Sequence, residues 1–164
     1  MSESGHYIGG QWREGNGAPL VGVNPSTGAV DWQGRCADEA EIDAAVGAAR
    51  GALNDWAGVG LARRIEAIEA VAEQYKRNKT DIADCICRAT GKPRWEALAE
   101  VDAMIAKAGI SISAERERRS PTSRAIGAVT AVTRFVPIGV MAILGPFNMP
   151  GHLPNGHLMP AIVA

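Results

Sequence analysis

A chain of 164 residues, 46% of them hydrophobic, is long enough for one ordinary domain and too apolar for a disordered segment. Its 17 basic and 18 acidic residues leave a net charge of −1, which gives no electrostatic reason for nucleic acid or an anionic membrane as a partner. The start, MSESGHYIGG, lacks the basic segment and apolar stretch of a secretory signal. The longest apolar run, Ile138 to Leu144, falls well short of the roughly 20 residues of a membrane-spanning helix. An odd count of three cysteines (Cys36, Cys85, Cys87) fits a reducing, cytoplasmic compartment, and free cysteines of this kind are read as small packing residues.

The first elements read as strands. His6-Tyr7-Ile8 and Gln11-Trp12 flank Gly9-Gly10, a hairpin signal. Asn24-Pro25-Ser26-Thr27-Gly28 carries turn chemistry at nearly every position, and Ala29 to Gln33 follows as a short strand. From Asp38 the apolar period becomes helical: Ile42, Ala45, Val46, Ala49, Leu53 and Trp56, with Asp38 and Glu41 spaced as a capping box. A second helix has Leu61, Ile65, Ile68, Ala72 and Tyr75 on one face and Arg63, Arg64, Glu66, Glu73 and Lys76 on a solvated one. A third, capped at Asn78, runs through Ile82, Ile86 and Ala89 to Gly91 and Pro93. A fourth carries Leu98, Val101, Ile105, Ala108 and Ile112 and ends in the mixed-charge run Glu115 to Arg119, read as a solvated end. Glu96 and Glu100, four apart on this helix, read as a surface pair.

After Arg124 the period is two, with Val129, Ala131, Thr133 and Phe135 alternating against Thr130, Val132 and Arg134. Val140 to Leu144 is continuously apolar, as in a strand covered on both faces, and a helix is expected to start near Leu153 to Gly156. A buried strand, a tight loop and a helix start make the first half of a βαβ unit. The second parallel strand is not in the sequence, so the chain reads as a piece of a larger α/β fold. The expected divisions are residues 1–124 (strands and helices), 125–137 (an extended strand) and 138–164 (the start of a Rossmann-like unit).

The chemistry concentrates in GPFNMPGHLP. Pro146 fixes its own φ, and Pro150 drives Met149 to an extended conformation, so the backbone around Asn148 is restricted. Just past the carboxyl end of a strand is where open α/β folds bind ligands. The Asn148 amide can donate to a developing oxyanion; the competing reading is an ordinary loop asparagine. His152 and His157, with Asn155 between them, lack the further ligands a metal site needs and suit capping or contact with an anion. No Gly-x-Ser-x-Gly elbow and no cysteine beside a base is present, so a complete active site cannot be assembled from these residues.

YIGGQW, NPSTG, TGKPRWEA and VPIGVMAILGPFNMP, in that order, resemble the N-terminal part of the aldehyde dehydrogenase superfamily from about Tyr7 to Ala164. TGKPRWEA and GHLPNGH resemble a branch that oxidises a succinylated semialdehyde in arginine breakdown. The resemblance implies an oxidoreductase in which a cysteine thiolate attacks the aldehyde, NAD takes the hydride and a glutamate assists hydrolysis. It puts the oxyanion-holding asparagine at Asn148. It puts Leu144, Gly145, Pro146 and Phe147 beside the nicotinamide, and Met149 and Leu153 on the substrate tunnel. His152, Asn155 and His157 are candidate contacts for a doubly acidic substrate. It further implies a homo-oligomer when complete. None of the three cysteines matches the nucleophile, and Ala89 stands where the family commonly has Glu. Two functions are therefore expected to compete: the first portion of an enzyme that is inactive alone, or a non-catalytic module that pairs with full-length subunits.

Overall fold

The computed structural model describes residues 5–164. Two antiparallel hairpins come first: β1 (His6–Ile8) with β2 (Gln11–Arg13), and β3 (Pro19–Val23) with β4 (Val30–Arg35). Gly9 and Gly10 turn the first hairpin with φ of 60° and 82°, values open to glycine at low cost. Four helices follow: α1 (Glu39–Gly58), α2 (Leu61–Arg77), α3 (Lys79–Thr90) and α4 (Arg94–Arg118). A third hairpin, β5 (Thr122–Ile126) with β6 (Val129–Thr133), leads to an irregular stretch and then to α5 (His152–Val163). No helix among the described residues is long and apolar enough to cross a membrane.

The expected capping box is present. Asp38 Oδ1 accepts from the Glu41 amide at 2.8 Å, and Glu41 Oε2 accepts from the Asp38 amide at 2.9 Å. Glu41 Oε2 also accepts from the Asn16 amide at 2.9 Å, so the same carboxylate pins the loop after β2 to the start of α1.

The long α4 joins two apolar clusters. Its Ala108 and Ile112 meet Ile68 and Ala72 of α2 and Met159 and Val163 of α5. Its Ala97, Val101 and Met104 meet Ala83 and Ile86 of α3. Each large side chain buried here contributes roughly 1.5–3 kcal/mol. The C-terminal end of α5 is tied down by side chains. Trp56 Nε1 donates to the Ile162 carbonyl at 2.9 Å and Arg64 Nε to the Val163 carbonyl at 3.0 Å, satisfying acceptors that a helix end leaves open.

Several expectations change. Val140 to Leu144 is not a buried strand: it has no regular secondary structure, and Val140, Met141 and Leu144 are exposed. A strand needs a hydrogen-bonded neighbour, and the described residues form three two-stranded antiparallel sheets with none beside this run. The expected apolar face of α1 is only half covered: Val46, Leu53 and Trp56 are half-buried, whereas Ile42, Ala45 and Ala49 are exposed, and no α1 residue belongs to either cluster. Arg64, placed on the solvated face of α2, is half-buried as a cap of α5. Cys85 is exposed rather than packed. Strands β3 and β5 lay outside the expected set. β5 begins at Thr122, so its hairpin crosses the boundary drawn at residue 124.

The NPSTG turn and the end of α3 fit one another. Asn24 Oδ1 accepts from the Ser26 amide at 2.9 Å, and the turn presents Pro25 and Ser26 to Gly91, the left-handed residue that stops α3 at φ 73°. A Cβ on Gly91 would stand 2.9 Å from Pro25 Cγ and 3.1 Å from Ser26 Oγ. Gly91→Ala is therefore expected to destabilise the fold by about 1–3 kcal/mol, the left-handed penalty plus displacement of the turn. A urea melt with an unchanged m-value would show this; a wild-type midpoint would refute the fit.

Candidate active site

The loop that carries Asn148 is built from the helices beneath it. Gly91 ends α3, and the next residue, Lys92, turns inward with 8% of its side chain exposed. Its Nζ lies 2.7 Å from Glu100 Oε2 and donates to the Asn148 carbonyl at 2.7 Å, while Glu96 Oε1 stands at 3.7 Å. The Glu100 side chain is fully buried, and its other oxygen, Oε1, accepts from the amides of Gly151 at 2.9 Å and His152 at 3.0 Å. One carboxylate thus caps the N-terminus of α5, where the helix dipole favours negative charge. Burial alone would push the Glu100 carboxyl up. The Lys92 hydrogen bond and the two amides outweigh burial and hold it below the ordinary glutamate value.

Glycine is required where the loop enters α5. A Cβ on Gly151 would sit 2.6 Å from Met104 Sδ and 3.3 Å from Glu100 Oε1, so only a bare backbone brings its amide onto the carboxylate. A Cβ on Gly145 would stand 2.5 Å from Pro154 Cγ, which shows the loop folded back against the first turn of α5.

Above this base the Asn148 side chain is exposed and makes no hydrogen bond among the described residues, while its own carbonyl is held by Lys92. Its amide donors are free. Leu144 and Phe147 present largely exposed apolar surface, 92% and 69%, on either side of exposed Gly145 and Pro146. Exposed apolar surface of this kind is chemically suited to lie against a flat ring such as a nicotinamide. Met149 is half-buried and Leu153 lies at the surface. His157 is exposed on α5. His152 is half-buried with Nδ1 unpartnered. Asn155 faces α4 instead of the loop: it is 3% exposed, its Nδ2 donates to the Met104 carbonyl at 3.0 Å, and its Oδ1 has no partner.

The surface reading of Glu100 is overturned by this arrangement. Spacing alone leaves Glu96 and Glu100 equivalent, yet Glu96 lies at the rim and Glu100 beneath the loop. Glu100 adjoins Ala97, Val101 and Met104 on the apolar stripe of α4, and that placement was the available signal. Lys92 was visible within TGKP without its partner.

The aldehyde dehydrogenase family model matches residues 12–164. The chain is 49% identical over 161 residues to the N-succinylglutamate 5-semialdehyde dehydrogenase of Ectopseudomonas mendocina (strain ymp), covering 98% of the chain and 33% of that relative. Among solved structures it is similar to an NAD-dependent benzaldehyde dehydrogenase from Corynebacterium glutamicum, with 26% identity, a TM-score of 0.91, and coverage of 99% of this chain and 36% of that one. It shares its fold with an NADP-dependent glyceraldehyde-3-phosphate dehydrogenase from Bacillus halodurans C-125, at 22% identity and a TM-score of 0.88, over 95% of this chain and 34% of that one. The 164 residues span about a third of the length of the relatives they match. With the motif order, the hairpin-and-helix architecture and the family match in agreement, the chain belongs to the aldehyde dehydrogenase family.

Proposed function

We propose that this chain is the N-terminal portion of an NAD-dependent dehydrogenase that oxidises N-succinylglutamate 5-semialdehyde to N-succinylglutamate in arginine breakdown, and that Asn148 is its oxyanion donor. The observation that carries the role of Asn148 is an exposed amide with free donors on a backbone whose carbonyl is tied to a buried lysine. Such a donor meets developing charge without reorganising. When bound, the nicotinamide accepts the hydride from the aldehyde carbon. Leu144, Gly145, Pro146 and Phe147 form one wall beside it, where Leu144 and Phe147 exclude water. The relatives include both an NAD and an NADP enzyme, and NAD is the proposed cofactor here. Met149 and Leu153 line the substrate side. His152 and His157 lie on the first two turns of α5, within reach of an acidic substrate, and Asn155 supplies them a fixed helix face through its bond to α4. Identity to the succinylglutamate semialdehyde enzyme supports the choice of substrate. Three free cysteines support a cytoplasmic location.

The 164 residues by themselves do not oxidise aldehydes in this reading. Cys85 and Cys87 lie on α3, Cys36 follows β4, and none takes the nucleophile's place in the family pattern. The test is reduced-nicotinamide formation with the semialdehyde, by the chain alone and by the chain joined to the remaining two thirds of the Ectopseudomonas mendocina enzyme. Turnover only in the joined protein is expected. Turnover by the chain alone, or none in a folded joined protein, would overturn the proposal.

A second reading, assembly with full-length subunits, is favoured by the β5–β6 hairpin, which is exposed along its whole length and shows Ile126, Val129 and Val132 to solvent. A sheet edge of this kind invites pairing with another chain. Co-purification with a full-length subunit, lost in Val129→Lys, is the outcome this reading requires.

A further inference from the structure

We propose that Lys92 and Glu100 are positioning residues that set Asn148 against the N-terminus of α5. The two side chains divide the work. Glu100 reaches across from α4 and holds the Gly151 and His152 amides, fixing where the helix begins. Lys92, itself held by Glu100 at 2.7 Å, holds the Asn148 carbonyl, three residues before Gly151. The segment from Asn148 to His152 is therefore gripped at both ends by one buried ion pair. The loop contributes no side-chain hydrogen bond of its own to this grip; each bond from the pair to the loop goes to main chain, so the arrangement fixes backbone position and leaves the Asn148 amide free. Gly151 makes the close approach possible, since a Cβ there would press on Glu100 Oε1 and Met104 Sδ. Glu96, at 3.7 Å from Lys92 and partly exposed, is too distant to replace Glu100.

The consequence for catalysis rests on the reading of Asn148 as oxyanion donor; the positioning itself does not. It is tested on the 164-residue chain by NMR, with neither cofactor nor aldehyde present. In Lys92→Met, residues 147–149 are expected to lose backbone order and the Asn148 carbonyl carbon to shift, while the amides of Gly151 and His152 keep their protection relative to the Val101 amide in the core. In Glu100→Gln, where an amide group faces the lysine, the protection of Gly151 and His152 is expected to fall about tenfold or more beyond any change at Val101, and order at 147–149 to fall with it. Lys92→Arg, which keeps a donor, is expected to restore order at 147–149. A purely structural role would alter all amides alike.

If the variants fail to fold, the unaltered chain gives the answer on acidification. The Gly151 and His152 amide resonances and the Asn148 carbonyl carbon should move with one midpoint, that of the Glu100 carboxyl. An Asn148 carbonyl indifferent to that titration, or unchanged order at 147–149 in a folded Lys92→Met variant, would overturn the proposal. Activity of an Asn148 variant in the joined enzyme is a separate measurement, so failure of the oxyanion reading leaves this result standing, and the reverse holds too.

Discussion

Replacing Glu100 by alanine is expected to destabilise the chain by about 3–5 kcal/mol, the usual cost of removing one member of a buried ion pair. The reason lies in what stays behind. Lys92, with 8% of its side chain exposed, would lose its buried partner and be left with only Glu96, 3.7 Å away. The Gly151 and His152 amides would lose their shared acceptor at the start of α5. Glu96 is partly exposed and compensates in part, which favours the lower end of the range. For a chain of this size a loss of 3 kcal/mol lowers the midpoint of thermal unfolding by about 6–12 °C. Glu96→Ala, at the rim of the same lysine, should cost less than about 1 kcal/mol of stability. Equal effects of the two substitutions would contradict the assignment of Glu100 as the buried partner.

The same carboxylate sets a pH dependence. Its value in the folded chain is held below the unfolded reference of 4.5, so its stabilising contribution is complete above pH 4.5 and is lost as the pH falls through the lower folded value. In Glu100→Gln this part of the acid limb should vanish. Comparing urea melts of the two proteins at neutral pH and in acid checks the sign: the gap between them should narrow on acidification.

The helices were legible because their signals are local. Asp38 and Glu41 announce a capping box, Gly91 and Pro93 a stop, and the apolar spacing of α2 and α4 a shared core; each depends on residues within a turn or two. The apolar run Val140 to Leu144 misled for the opposite reason. Periodicity reports what a segment could bury, and strand formation depends on a neighbour that the described residues do not provide. α1 shows the same limit, since its apolar spacing did not reveal that Ile42 would stay exposed. At the site, the prolines flanking Asn148 made a restricted backbone there an expectation of the sequence, while the Lys92–Glu100 pair that holds its carbonyl was not legible. Nothing in the spacing of two glutamates says which one faces a lysine that lies beyond a helix stop, and the loop it holds is about fifty residues further along the chain. Asn155, read as a substrate contact from its donors, sits with its Nδ2 on the Met104 carbonyl. Helix rotation about a single turn decides that outcome, and composition does not report it.

Asn148→Ala should be close to neutral for stability, because the side chain is exposed and forms no hydrogen bond among the described residues. Its effect on turnover should be large. Losing one preorganised oxyanion donor costs about 10²–10³-fold in kcat, or about 2.7–4 kcal/mol of transition-state stabilisation. Because the donor acts where charge develops, kcat should carry the loss and KM should change little. The decisive measurement is kcat for Asn148→Ala in the chain joined to the remaining two thirds of its Ectopseudomonas mendocina relative, with the same melting midpoint as the unsubstituted joined protein. A fall of about a hundredfold or more at near-constant KM is the result expected. An unchanged kcat in that folded protein would contradict the claim that this chain supplies the oxyanion donor.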